Sequence, residues 1–400
     1  MTLEFEKLSS EIERMGQTTS SRQAKREAQI AALLARLQQV AVDWQEIERC
    51  VNKARALADE KWFRAALPLL PQEPLNKGLP VPLAPDQATL IATDGSQILP
   101  DRHAPFLYYL INVGGMVYYH GNGRSPHTFT IPQLTYPSDD LDENTAQFNS
   151  ASVSIKRDLA EIGILAQTAW QNRHETAPLI ALMDQRLLYW PIGSIDHAET
   201  LHATQSWLAA MQKIRDSQAI LAGYIDRPGK IAVLNMLYAL DVDQPDFDVA
   251  TLTRNNQSLN DAELFAQILQ PGERSPVFVD ISNRNETFAQ QNQEVAFFYL
   301  NPGRRGRKIA RVDIPVWAAQ QPEVVAQLHA LLYHQCQIML GDYPYILTRA
   351  DEEAVVGRKD QEYLDSWIAL TMQQHGLAAG QTSKQEGKDI ARAGKTRHGL

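Results

Sequence analysis

The sequence predicts a mixed α/β sheet with helices on its faces, preceded by a helical, coiled-coil-like extension. Three observations predict it. Short apolar, β-branched runs at residues 88–94, 178–184 and 219–226 have strand length. Longer amphipathic stretches separate them, which is the alternation of an α/β domain. Ahead of both, Leu33, Leu37, Val40, Trp44, Ile47, Val51, Ala54 and Ala58 recur at alternating spacings of four and three, a heptad-like stripe.

The 400 residues suffice for one large domain or two. Three regions are expected: an N-terminal helical region and linker at 1–85, a main domain at 86–375, and a flexible basic tail at 376–400. The stripe predicts helix over 20–66: an arm joining two subunits, or a long helix docked on its own domain, or a helical hairpin, with the weakening of the late positions to Ala favouring the last two. Prolines mark 67–85 as a linker. The main domain opens with a strand delivering Asp94 to its tip, followed by a Gly-Ser turn. Residues 106–113 and 116–120 read as two strands around a turn at Gly114-Gly115, and 128–131 as another. An acidic, polar loop follows at 138–149.

Asn149 and Ser150 are good cap formers and begin a helix whose buried face is Ile155, Leu159, Ile162, Ala166 and Ala169. Glu161 and Asp158 both fall at the rim of that face. A strand ending at Asp184 comes next, then a helix over 198–217, a strand to Asp226 and a helix over 231–240. Residues 275–280, 295–300 and 308–315 read as strands, the last two bracketing a basic loop. Helix is expected at 324–339 and 351–373, an extended segment at 343–347, and disorder after Gly376.

The net charge of −9 argues against a protein that merely coats nucleic acid, but leaves room for a nuclease with an acidic centre. Arg304, Arg305, Arg307 and Lys308 form a basic patch, either phosphate contacts or a solvated loop. Cys50 and Cys336 make neither a disulfide framework nor a zinc site, so a reducing cytoplasm is expected. The apolar runs are too short for a membrane helix. Paired-histidine zinc spacing, a Gly-x-Ser-x-Gly elbow and a phosphate-binding Gly-x₄-Gly-Lys loop are all missing.

What remains is a set of carboxylates. Asp94 and Asp184 end two strands and Glu161 lies on the helix between them. Carboxylates converging from different elements suit Mg²⁺ or Mn²⁺, hard ions that prefer oxygen. An Asp after a strand is also a common turn former, and Asp226 and Asp280 compete for the same role.

The spaced motifs of residues 86–370 resemble the NurA family of nucleases. They are Thr93-Asp94-Gly95-Ser96; Arg157-Asp158-Leu159-Ala160-Glu161-Ile162; Leu182-Met183-Asp184; Ala310-Arg311-Val312-Asp313-Ile314-Pro315; Gly341-Asp342-Tyr343-Pro344; and Arg349-Ala350-Asp351-Glu352-Glu353-Ala354-Val355. Gln185 stands where the family usually has glycine. The resemblance selects Glu161 over Asp158 and places Tyr343 at the family's active-site tyrosine. It implies an RNase H-like core, a Mn²⁺-dependent nuclease acting on DNA ends and single strands, a homodimer, and a HerA-type hexameric ATPase as partner in break resection. Asp351 stands where the family usually carries histidine. The sequence therefore predicts a two-metal phosphodiesterase with Asp94, Glu161, Asp184 and Asp351 around the ions and Tyr343 against the DNA. The rival is a catalytically impaired NurA-like subunit that binds DNA or docks an ATPase.

Overall fold

Two units interleave along the chain: Met1–Asp86, Asp184–Leu188 and Ile220–Tyr345 form the first; Gln87–Met183, Tyr189–Ala219 and Ile346–Leu400 the second. The structure is a computed structural model and describes residues 8–58, 62–101, 104–137, 148–191, 196–252, 259–303, 308–339 and 342–377. The expected flexible tail lies outside the described residues from 378 onward, as does most of the acidic loop.

The first unit begins with two helices, α1 (Ser9–Gln39) and α2 (Trp44–Leu57), so the stripe is carried by two helices rather than one continuous one. Asp43 makes the break. Its carboxylate accepts the Glu46 N–H at 3.2 Å and starts α2 afresh. The stripe packs inward on its own unit: Leu33, Leu37, Ile47, Val51 and Ala54 are buried in a core with Val233, Leu237, Phe265 and Phe278. Ion pairs fasten both helices down, Arg26 to Glu263, Arg36 to Asp241, Arg49 to Asp243 at 2.8 Å and Arg55 to Glu286. Strand β1 (Arg64–Pro68) stands where the end of the expected helix and the first two residues of the expected linker lie. Its Ala65 and Ala66 are too small to register as an apolar run, yet both are buried.

The second unit carries β2 (Ala88–Ile98), β3 (Tyr109–His120), β4 (His127–Thr135), α3 (Ser150–Gln171) and β5 (Leu179–Met183). Strands β2, β3 and β4 form an antiparallel meander. The α3 crossover then returns β5 parallel to β2, in the order β5-β2-β3-β4, the mixed arrangement of an RNase H-like core. Two expectations fail here. Strand β2 runs through Asp94 to Ile98 rather than ending at it. Gly114-Gly115 is no turn, because β3 passes straight through both. The glycines are needed for close approach. A Cβ on Gly115 would stand 2.3 Å from the Phe129 ring, and one on Gly114 2.2 Å from the Ala354 nitrogen. Helix α4 (His197–Asp216) follows, with Trp207 stacked on Tyr189 at 4.4 Å.

Back in the first unit come β6 (Ile220–Ile225), α5 (Ala232–Ala239), α6 (Asp261–Phe265), β7 (Phe278–Ser282), α7 (Asn283–Ala289), β8 (Val295–Leu300), β9 (Ala310–Pro315), α8 (Val316–Ala319) and α9 (Pro322–Ile338). Its strands pair antiparallel in the order β1-β7-β8-β9-β6. Strands β8 and β9 form the expected hairpin, Leu300 opposite Ala310. The second unit closes with α10 (Tyr345–Ala354) and α11 (Arg358–Gln374). Residues 345–347 are thus helical rather than extended, and the expected helix over 351–373 is broken before Gly357, whose N–H donates to the Asp360 carboxylate at 2.9 Å.

Two measurements test this packing. Leu37 is 1% exposed, so Leu37→Ala should destabilise the protein by about 2–5 kcal/mol in urea unfolding. Its midpoint should not move with protein concentration, as it would if α1 were a subunit arm. His329 in α9 is buried and its Nε2–H donates to the Gly272 carbonyl at 2.7 Å; burial pushes its imidazole down to about 4. The unfolded chain therefore binds the proton first as pH falls. Stability should drop between about pH 6.5 and 4, by roughly 3 kcal/mol in all, and His329→Gln should flatten that slope.

Candidate functional site

Asp94 sits on β2 at the point where the parallel neighbour stops. The β2–β5 register ends at Thr93 opposite Met183, while β3 continues alongside, Asp94 opposite Gly114. The carboxylate is half-buried and accepts the Gly95 N–H at 2.7 Å. Asp184 is the residue after Met183, at the C-terminal end of β5, and is exposed. The two strand ends expected to be neighbours are therefore paired in register.

Helix α3 lies close over β2. Thr93 Oγ1 donates to the Glu161 main-chain carbonyl at 3.1 Å. The Glu161 side chain turns towards Gly95, its Oε2 3.5 Å from where a Cβ on that glycine would stand; Arg157, one turn earlier, is at 2.9 Å. Glycine at 95 lets both side chains approach. Glu161 is 4% exposed and so buried, not on the rim that the helical stripe suggests. Asp158 is engaged locally, its Oδ1 accepting from Arg157 Nη2 at 2.7 Å.

Helix α10 brings the second acid. Its C-terminal end is held on β2 and β3: Asn112 Nδ2 donates to the Ala354 carbonyl at 2.9 Å, and Ser96 Oγ donates to the same oxygen. Thr130 Oγ1 fixes Asn112 from the other side, at 2.7 Å to its Oδ1. Gly114 leaves room for the Ala354 backbone. Asp351, one turn before Ala354, is thereby hydrogen-bonded to Asp94. Burial, and then the Asp351 carboxyl, push the Asp94 carboxyl up to about 6, against the Gly95 N–H and the Arg157 guanidinium.

The structure thus brings Asp94 and Asp351 into one pair, with Glu161 over the neighbouring Gly95. Carboxylate oxygens are the right donors for Mg²⁺ or Mn²⁺. Among the described residues, no three His, Cys, Asp or Glu side chains gather tightly enough to hold an ion. The donor chemistry fits, and the side chains stand as a pair rather than a cage.

The other candidates lie in the first unit. Tyr343 is half-buried and meets Tyr224 edge-on, ring centroids 5.4 Å apart. Lys308 Nζ is 2.9 Å from Asp226, so that aspartate has a local partner; Asp280 pairs with buried Arg311 at 3.4 Å. Arg304, Arg305 and Arg307 lie outside the described residues. Sequence reasoning missed Asn112, Ser96 and Gly114, which set the position of Asp351. The one signal was the Gly-Gly pair inside an apolar run.

Against known families, the NurA domain model matches residues 88–356. The structure is similar to the NurA nuclease from Sulfolobus solfataricus, at 13% identity and a TM-score of 0.48, over 84% of this chain and 96% of that one. It is also similar to the catalytic domain of human endonuclease V, at 12% identity and a TM-score of 0.31, over 71% and 85% of the respective chains. No curated protein matches. Among the described residues no helix is long and apolar enough to cross a membrane.

Gly114→Ala tests the geometry. The new methyl cannot fit without moving α10 off β3, so thermal stability should fall by about 1–3 kcal/mol. Hydrogen exchange should rise in α10 before it rises in β2.

Proposed function

The chain belongs to the NurA family of nucleases, and on that premise we propose that it is a divalent-metal-dependent DNA nuclease acting on single strands and duplex ends. The observation that carries this reading is the Asp94–Asp351 pair, inside the matched region and beside Glu161. Asp94, Glu161 and Asp351 would hold Mn²⁺ or Mg²⁺, with Asp184 a further ligand and two ions the complement for phosphodiester hydrolysis. Bound there, the metal would activate a water for in-line attack and stabilise the leaving 3′ oxygen.

The chain's own residues prepare that chemistry. Asp94 and Asp351 stand together, and a cation between them would relieve their mutual repulsion. Gly95 N–H holds the Asp94 carboxylate in place, and Arg157 offsets part of the acidic charge. Asn112 and Ser96 fix the α10 end that carries Asp351. Tyr343 would position the DNA backbone. Arg304, Arg305, Arg307 and Lys308 would meet phosphates and make binding salt-dependent. A homodimer working with a HerA-type hexameric ATPase in double-strand break resection, in the cytoplasm, completes the proposal.

A second reading has support of its own. Asp351 replaces the family histidine, and no three-ligand cluster is gathered among the described residues. Both favour a catalytically impaired subunit that binds DNA or docks the ATPase.

Purified protein with labelled single-stranded DNA and Mn²⁺ decides between them. Cleavage is expected, and Asp94→Asn should reduce it roughly a hundredfold or more while leaving the circular dichroism spectrum unchanged. DNA bound but uncut by the wild type would establish the second reading. Unchanged cleavage by Asp94→Asn would remove Asp94 from the mechanism.

A further inference from the structure

A cavity of about 280 Å³ lies within the first unit, and its lining does not include Asp94, Glu161, Asp184 or Asp351. Its polar side is cationic. Arg186 reaches it from the short segment Asp184–Leu188, Lys230 from the turn before α5, and Arg311 from β9. Register puts Arg311 opposite Ile225 of β6 and two residues from Asp313, so all three share one face of the strands.

Arg311 is 3% exposed and its bonding is incomplete. Its Nε donates to Asp313 Oδ1 at 2.7 Å, its Nη2 pairs with Asp280 at 3.4 Å, and its plane covers the Phe297 ring at 3.7 Å. Its Nη1 is buried and has no acceptor. Leaving such a donor unmet is costly, because it has given up water without gaining an acceptor. Asp313 is already committed, because its second oxygen accepts the Leu187 N–H at 3.1 Å. Arg186 and Lys230 add two basic side chains to the lining beside the carboxylate of Asp313, with Asp280 a second carboxylate on Arg311. Leu188, Ile225 and Pro228 supply an apolar wall.

We propose that this cavity binds the terminal phosphoryl group of a nucleotide, with Arg186, Lys230 and the guanidinium of Arg311 around the anion and the sugar against the apolar wall. A guanidinium presents donors in the geometry a phosphate accepts, and a charged acceptor satisfies a buried cationic donor best. The volume is at the small end for ligand pockets, which suits a mononucleotide or a strand end and excludes a duplex. The choice of a nucleotide over other phosphomonoesters rests on the nuclease reading; the anion site itself does not.

Calorimetry on the full-length protein in EDTA tests this without engaging the carboxylate centre. The probes are thymidine 5′-monophosphate, 5′-phosphorylated dithymidine and unphosphorylated thymidine. Both phosphorylated probes should bind at least about tenfold more tightly than thymidine. Lys230→Gln should weaken them about tenfold. Gly229→Leu should do the same by crowding the cavity, since a Cβ at 229 meets nothing within 4 Å and the fold has room for it. Both variants should melt like the wild type without ligand. Tighter binding of the dinucleotide assigns the site to strand ends, and tighter binding of the monophosphate to free nucleotides; either supports the proposal. Equal binding of thymidine and its monophosphate, or binding that neither variant weakens, overturns it. Retained monophosphate binding by a wild-type protein that cuts no DNA would sink the nuclease reading and leave the anion site standing.

Discussion

Two carboxyl groups held close together in a half-buried place repel each other when both are ionised, and a proton or a cation between them relieves that repulsion. In the Asp94–Asp351 pair the constraint falls on Asp94, whose carboxyl is pushed up by burial and then by the Asp351 carboxyl. The surrounding second unit keeps these acids together. Helix α10 is bonded through Asn112 and Ser96, glycine at 114 admits its backbone, and α3 rests on Thr93 and Gly95 with Arg157 as counter-charge. Like-charge repulsion is offset by backbone contacts that do not depend on the acids themselves. A site arranged this way has the positions fixed and the charge left to be supplied.

The first unit handles buried charge in the opposite way. Arg311 is as deeply buried as any core residue, yet it lies between two carboxylates and against an aromatic face. Breaking one partner of such a group is costly, because the remaining charge has no water to turn to. Asp261 plays a similar structural part, accepting the N–H groups of Val233 and Leu234 and the Tyr299 hydroxyl, and so tying α5 to β8. The N-terminal helices are held by exposed or half-exposed ion pairs, each worth little, over an apolar stripe that contributes most of the attachment.

Much of this was legible in the residues. Strands with strong apolar runs, β5, β6 and β8, stand within a residue or two of where their patterns end. Asn149 caps α3 as its type suggests, accepting the Ser152 N–H at 2.8 Å. The pairing of Thr93 with Met183 puts the two strand ends side by side, as the topology implied. The failures have local causes. Gly114-Gly115 and Gly95 are small because another element comes close, and smallness alone reads as a turn. Ala65 and Ala66 are good helix formers and read as the end of the first helix, although β1 holds them. The choice between one helix and a hairpin stayed open because a heptad stripe can be continued by two helices that pack on one core.

By itself the sequence determined the chemistry: which carboxylates exist, which elements carry them, that the sheet is mixed and that the first helices have one apolar side. Those follow from side-chain type and periodicity, which are local properties. Tertiary structure alone decided that Asp351, 257 positions after Asp94, lies against it, that Glu161 is buried, and that Arg311 keeps one donor unmet beside a cavity. Such facts depend on distance and desolvation between residues far apart in the chain, and no spacing along a single strand or helix encodes them.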